Sequence, residues 1–291
     1  MITFPNVKIN LGLSILRKRP DGYHDLETLF VPCNDKQDCL EIIPADSYSE
    51  TAASLFSRFG AFRPSSGYPA VSQGISEDGR VMITIGRAEG VHWDPLKDLT
   101  VKAYYALAED FTLPSVKIFL EKRSPVGAGL GGGSADAAFA LRMISEMFGL
   151  GLDEVRLAEY AAKLGSDCPF FVYNRPMFGE SRGEVLTDYD LPLNDLSIRL
   201  FIPEGISIST REAYAGITPR ERRTDTLPAL REVLKLPVEQ WRGKLVNDFE
   251  EPIFASHPEL AALKASIYER GAVYAAMSGS GSALFGLFPS R

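Results

Sequence analysis

The sequence predicts an α+β protein of two domains, and three observations carry that prediction. With 291 residues the chain is long enough for two cores. Stretches of apolar alternation are interleaved with stretches of helical spacing, so neither an all-α nor an all-β chain fits. A glycine, Gly165, closes a helical pattern near the middle, where a boundary is expected. The expected domains are 1–163, with an irregular insertion at about 44–79, and 164–291.

The elements follow in order. Val7-Lys8-Ile9-Asn10-Leu11-Gly12-Leu13 alternates strictly, which puts Val7, Ile9, Leu11 and Leu13 on one face of a strand and Lys8 and Asn10 on the other. Pro20-Asp21-Gly22 reads as a turn, and 26–32 and 39–43 as further strands. From 44 to 79 Ser, Gly, Pro and Ala dominate and no structure is assigned. A strand is expected at 81–85. Val101, Tyr104, Tyr105 and Ala108 then share a helix face, with Asp98 or Thr100 as its cap. A strand at 116–120 leads into a glycine loop and an Ala-rich helix in which Ala137, Leu141, Ile144 and Phe148 align. Asp153 caps a third helix, with Leu157, Tyr160, Ala161 and Leu164 on one side. The second half gives a strand at 199–202 and helices from 211, over 227–235, over 240–249 and over 258–270. Strands at 272–277 and 283–288 flank the turn Ser278-Gly279-Ser280-Gly281-Ser282.

Composition narrows the function. A chain 45% hydrophobic and 24% charged is globular, and a net charge of -7 gives no global basic surface for nucleic acid. An anionic small molecule is compatible with that charge, because main-chain amides bind phosphate without adding charge. No apolar run approaches a membrane span, and the first residues lack a basic region followed by an apolar core, so a cytoplasmic protein is expected. Cys33, Cys39 and Cys168 form no C-x-x-C pair and read as reduced, partly buried thiols. His24, His92 and His257 are far apart, which speaks against a catalytic metal held by protein ligands.

The stretch Ser124 to Ala138, SPVGAGLGGGSADAA, has five glycines between Gly127 and Gly133. Gly127-x-Gly129-x-x-Gly132 matches a dinucleotide fingerprint literally, but the helix that follows ends in glycines and not in a strand with a terminal acid. A Walker loop needs Lys after its last glycine, where this chain has Gly133, and a protein-kinase hairpin would continue into a strand. What remains is a lysine-free phosphate cradle: bare backbone approaches a polyphosphate, amide N–H groups point inward, and a helix start adds its positive end. Ser134 adds a hydroxyl within reach of a phosphate or its magnesium. A flexible linker or tight helix packing is the alternative use of such glycines.

PVGAGLGGGSADAA resembles the ATP-binding motif of the GHMP kinases, the superfamily of galactokinase, homoserine kinase and mevalonate kinase. Two further motifs fall in the superfamily's order, NVKINLGL at the amino end and MSGSGSALFG at the carboxyl end. KINLGL with RPDGYHDLETLF, then LGSDCPFF and PEGISISTREAY, is similar to the branch that phosphorylates a cytidine-diphosphate sugar alcohol in the non-mevalonate route to isoprenoid precursors. The resemblance covers nearly the whole length.

It implies a ribosomal-S5-like N-terminal domain and a ferredoxin-like C-terminal domain, with the active site in the cleft between them. It also implies transfer of the ATP γ-phosphoryl group, with Mg2+, to the tertiary 2-hydroxyl of that substrate. Pro125, Gly127, Gly129, Leu130, Gly131, Gly132, Gly133 and Ser134 would hold the nucleotide. Lys8 and Asp167 would be catalytic, Asp167 taking the hydroxyl proton and Lys8 stabilising the carboxylate and the developing alkoxide. Tyr23 and Tyr214 would sandwich the cytosine, His24 would read its edge, and Asn10, Asp136 and Thr210 would line the same cleft. From the residues alone, Lys8 better suits a solvated strand face, Asp167 a turn and the tyrosines ordinary packing, while Asp136 suits the first turn of a helix as well as a substrate contact.

Three places depart from the family pattern. Val7 stands where Ala is usual, Lys97-Asp98-Leu99 where D-N-L is usual, and Gly179-Glu180-Ser181-Arg182-Gly183 where A-E-G-x-G is usual. Rival readings keep the glycine loop: a superfamily kinase for homoserine or mevalonate, a dinucleotide-binding oxidoreductase, or a nucleotide-binding module without catalysis. The first gives no use to the GYH and STREAY aromatics, and the last gives none to Lys8 and Asp167.

Overall fold

The computed structural model describes all residues except 46–65, 192, 194, 223–227 and 291. The chain folds as two compact units. The first comprises Met1–Val7, Lys36–Ser124 and Gly132–Tyr173, and the second Lys8–Asp35, Pro125–Gly131 and Asn174–Arg291. This differs from a single cut at 163/164: the first two long strands and the glycine loop go with the carboxyl half.

The first unit has a five-stranded sheet in the order β1-β4-β7-β6-β5. Its strands are β1 (Ile2–Thr3), β4 (Cys39–Pro44), β5 (Val71–Ile75), β6 (Val81–Gly86) and β7 (Val116–Glu121). β6 and β7 run parallel, which requires a crossover between them, and α1 (Leu99–Ala108) supplies it. Asp98 caps α1 by accepting from the Thr100 amide at 3.0 Å, so this departure from the family pattern has a local reason. α2 (Gly132–Met147) packs on α1, on β4, on α3 (Glu154–Leu164) and on α4 (Cys168–Tyr173). Its expected face is real: Ala137, Leu141 and Ile144 are completely buried. Small side chains on that face let neighbouring helices approach closely.

The second unit holds a four-stranded sheet, β2 (Asn6–Lys18), β3 (His24–Gln37), β8 (Met177–Glu180) and β9 (Val185–Asp188), in that order. The first two residues of β2 belong to the first unit. A three-stranded sheet runs β10 (Leu196–Phe201), β12 (Leu284–Pro289), β11 (Tyr274–Met277), all antiparallel. α5 (Thr210–Ala215), α6 (Leu230–Leu234), α7 (Glu250–Ser256) and α8 (Pro258–Glu269) complete it. α8 packs on β11 and β12, burying Leu260 and Ile267 against Ala275, Met277 and Leu284. Burial of side chains this size stabilises by about 1.5–3 kcal/mol each.

Two expectations need correcting. The part of 44–79 that is described includes strand β5, an edge strand whose Ser, Gln and Gly concealed it; 46–65 lie outside the described residues. Residues 240–249 are not a helix. Trp241, Leu245 and Phe249 are all buried at helical spacing, but Gly243 takes φ +78 and Asn247 bridges to Leu13. Among the described residues no helix is long and apolar enough to cross a membrane.

Candidate active site

Strand β2 shows how the sequence builds the site. Val7, Ile9 and Leu11 are fully buried on one face, as alternation requires, but the opposite face is not solvated: Lys8 is 4% and Asn10 2% exposed. A lysine buried that far needs polar partners. Its Nζ donates to Asn10 Oδ1 at 2.6 Å and lies 5.3 Å from the Phe30 ring centroid. Asn10 Nδ2 in turn donates to Thr28 Oγ1 at 2.9 Å, and Thr28 Oγ1 to the Gly12 carbonyl at 2.6 Å. The result is a hydrogen-bonded polar track through a sheet, which fixes where the ammonium points. Asn10, expected beside the substrate, is the group that orients Lys8.

The glycine loop is shaped by its own backbone. Gly127, Gly129 and Gly131 have φ of 75, 76 and 70, and the residues between them do not share that conformation. Such alternation turns successive amide N–H groups to one side, forming an anion-binding nest. Gly129 also allows a close approach: a Cβ there would fall on the Ser278 carbonyl oxygen. Ser278 Oγ donates to the Gly129 carbonyl at 3.1 Å, and the Ala283 amide to the Ala128 carbonyl at 3.2 Å. The MSGSGSALFG hairpin thus serves as the seat of the glycine loop within the second unit. Asn247, which sequence reasoning missed inside a misread helix, holds the hairpin from below. Its Nδ2 donates to the carbonyls of Met277 and Gly279, both at 2.8 Å. The Lys8 amide donates to the Leu130 carbonyl at 3.0 Å, tying the loop to β2. Bare backbone and inward amides fit a triphosphate.

In the first unit Ser134 stands half-buried at the start of α2. Gly165 passes beside it, since a Cβ on Gly165 would stand 4.0 Å from Ser134 Oγ and 3.3 Å from Cys168 Sγ. Asp167 lies in the turn between α3 and α4, half-buried, in that same neighbourhood. Burial pushes the Cys168 thiol up to about 11 despite the Ser134 hydroxyl bonded to it, so it is no nucleophile at neutral pH.

Beneath the start of α2 lies a cluster the sequence did not announce. Lys122, at the end of β7, donates to Asp38 Oδ2 and, at 2.6 Å, to Asp136 Oδ2. Asp38 Oδ1 accepts the amides of Arg123 at 2.6 Å and Ser124 at 2.7 Å, and Ser124 Oγ donates to Asp38 Oδ2 at 2.7 Å. Gly132 is needed here because a Cβ would collide with Ser124 Oγ. The cluster therefore grips both ends of the loop, 122–124 on one side and 132–136 on the other. Burial raises the Asp38 carboxyl, but the Lys122 charge and the hydrogen bonds outweigh it and the net shift is downward. Asp136 goes the other way: burial raises its carboxyl well above the ordinary range, more than Lys122 lowers it. Its Oδ1 is buried without a hydrogen-bond partner among the described residues. Asp136, expected beside the substrate, is 1% exposed and sits in this anchoring position.

The expected pyrimidine group lies entirely in the second unit. Tyr23, in the turn before β3, is 57% exposed. His24 is stacked on Tyr214, ring centroids 4.7 Å apart at 23°. It lies on that tyrosine's face, whereas the expected sandwich placed it at the edge of the base. Burial lowers the His24 pKa, with Lys18 adding to the effect, so the imidazole is neutral at pH 7. Tyr214 is braced edge-on by Phe249 at 4.9 Å, and Thr210 is exposed at the first position of α5. Ser282 Oγ donates to the Ile206 carbonyl at 2.6 Å, tying the segment before α5 to the same hairpin that seats the loop.

Comparison with known proteins is consistent across three scales. Residues 98–175 match the GHMP kinases N terminal domain and residues 227–291 the GHMP kinases C terminal model. A 4-diphosphocytidyl-2-C-methyl-D-erythritol kinase of Bacteroides thetaiotaomicron is 44% identical, over 99% of this chain and 92% of that relative. The like-named kinase of Porphyromonas gingivalis is 43% identical over 100% and 93%. A crystal structure of a 4-(cytidine 5'-diphospho)-2C-methyl-D-erythritol kinase superposes with a TM-score of 0.71 at 31% identity, covering 99% of this chain and 90% of that one. A mevalonate kinase structure shares the fold at a TM-score of 0.62 and 12% identity.

Proposed function

The chain belongs to the GHMP kinases, and within them to the 4-diphosphocytidyl-2-C-methyl-D-erythritol kinase family, and from that premise we propose that it transfers the ATP γ-phosphoryl group to the 2-hydroxyl of that cytidyl substrate. The observation that carries the reading is the buried Lys8, aimed by Asn10 and Thr28 along a polar track where a solvated strand face would have needed neither.

Phosphoryl transfer asks little covalent chemistry of a protein; it asks for positioning and for stabilisation of charge. In this reading Asp167 accepts the hydroxyl proton as the bond to phosphorus forms. Lys8 stabilises the carboxylate and the oxygen that attacks. A tertiary hydroxyl is a poor acid, so its proton leaves late, and removing a positioned base lowers the rate by about 10²–10⁴. Pro125 to Ser134 hold the phosphates through main-chain amides, with Lys122, Asp38 and Asp136 keeping the loop's ends in place. The Ser134 hydroxyl would offer an oxygen to a magnesium ion held on the phosphates, and that ion would offset part of their charge. Tyr23, His24, Thr210 and Tyr214 take the cytosine end. The cytosine of that substrate gives the site's aromatics a use, whereas homoserine or mevalonate would leave them idle.

The test is ADP release with the cytidyl substrate beside homoserine and mevalonate. Turnover with the first alone is expected. Equal or greater turnover with either of the others would remove the substrate assignment.

A further inference from the structure

The turn before β3 and the β8–β9 turn are neighbours, because β3 pairs with β8 through Thr28–Gly179, Leu29–Phe178 and Phe30–Met177. One carries Tyr23 and His24. The other, 181–184, contains Ser181 and Arg182 of the segment that departs from the family pattern. Two hydrogen bonds join them: the Leu26 amide donates to the Ser181 carbonyl at 2.6 Å, and Arg19 Nη1 donates to Ser181 Oγ at 3.2 Å.

Ser181 stands where the family tends to have glycine, and it keeps glycine's conformation, with φ +63. An L side chain is strained there, so something must hold it. Its hydroxyl donates to Glu184 Oε1 at 3.2 Å while accepting from Arg19, and the Arg182 amide donates to Glu184 Oε2 at 2.7 Å. The turn is therefore fixed from three sides. What it presents is Arg182, whose guanidinium lies 5.0 Å from the Tyr23 ring centroid.

We infer that Arg182 is a positioning residue for the pyrimidine subsite: its guanidinium anchors one face of Tyr23 so that the ring offers the other face, already oriented, to the base. The inference rests on the proposed stacking of the substrate's cytosine on Tyr23. A cation is attracted to the ring's electron-rich face, and an anchored ring loses less freedom when a base stacks on it. Tyr23 is the most exposed ring of the group, whereas Tyr214 is already covered by His24 and braced by Phe249. Tyr23 is thus the ring that benefits most from a support outside the core.

The test is a double-mutant cycle on the full-length protein with Arg182→Ala, Tyr23→Ala and the pair, titrated with cytidine and with CDP. Arg182→Ala is expected to weaken both ligands by the same factor, about two- to fivefold, and to add nothing in the Tyr23→Ala background. Arg182→Lys restores most of the loss. KM for the cytidyl substrate rises while kcat, KM for ATP and Tm stay put, a split that a merely structural role for the turn would not give. A loss confined to CDP means a direct phosphate contact and overturns the inference, as does a full additional loss in the Tyr23→Ala background. If Tyr23→Ala weakens cytidine and Arg182→Ala does not, the inference fails and the pyrimidine assignment stands. If Tyr23→Ala leaves cytidine affinity unchanged, the assignment itself falls and takes the inference with it.

Discussion

Two lysines of this chain are buried to the same depth, and the described contacts of their ammonium groups differ in kind. Lys122, 5% exposed, is gripped by Asp38 and Asp136. Lys8, 4% exposed, is aimed by the neutral amide oxygen of Asn10 and by the face of Phe30. The first arrangement neutralises an ammonium inside the unit that contains it, which makes Lys122 a structural post for the glycine loop. The second includes a neutral amide on the lysine's own strand, itself held by Thr28 of the next, which fixes the direction of the ammonium.

The sharpest way to break that contrast is at Asp38. Replacing it with Ala leaves Lys122 facing one carboxylate and strips the Arg123 and Ser124 amides of their acceptor. A loss of about 3–5 kcal/mol is expected, read as a lower midpoint in urea. The same measurement on Asn247→Ala, which orphans the carbonyls of Met277 and Gly279, is expected to show about 1–3 kcal/mol.

Asp136→Asn sharpens the contrast through pH. Because burial raises the Asp136 carboxyl, with Asp38 and Asp98 adding to the effect against Lys122, the folded state holds this proton more tightly than the unfolded chain does. Stability from that group is present below the unfolded carboxyl pKa of about 4 and is lost as pH rises towards the folded value. Asp38, shifted down, contributes stability above its unfolded pKa and loses it as pH falls. The Asn variant should therefore gain on the wild type in Tm as pH climbs from about 5 to about 8. A constant difference across that range would show that Asp136 is ionised throughout. Smallest is Ser181→Gly: relief of a left-handed serine, about 1 kcal/mol, is offset by lost bonds to Arg19 and Glu184 of about the same size. Tm should barely move.

Much of this was legible in the sequence, for reasons that can be stated. β2, α2 and the β11–β12 hairpin were readable because their apolar spacing matches one period and their glycines mark real turns. Lys8, Asp167 and the Tyr23-His24 pair could be named only because whole motifs surround them; their spacing alone suited ordinary turns and strand faces. The segment 240–249 misled because Trp241, Leu245 and Phe249 bury themselves at helical spacing without a helix. Asp38 was invisible, since nothing in a single aspartate between two strands signals a partner at Lys122, brought near only by the pairing of β4 with β7. Asp136 was visible but its burial was not, because a polar residue in the first turn of a helix says nothing about how deeply that turn is buried.

The central claim is that Asp167 takes the proton during transfer. Asp167→Asn keeps shape and removes the base, so the measurement is kcat for the cytidyl substrate alongside equilibrium binding of ATP. The account predicts a fall in kcat of about 10²–10⁴ with nucleotide affinity retained. Wild-type turnover in the Asn variant would contradict it.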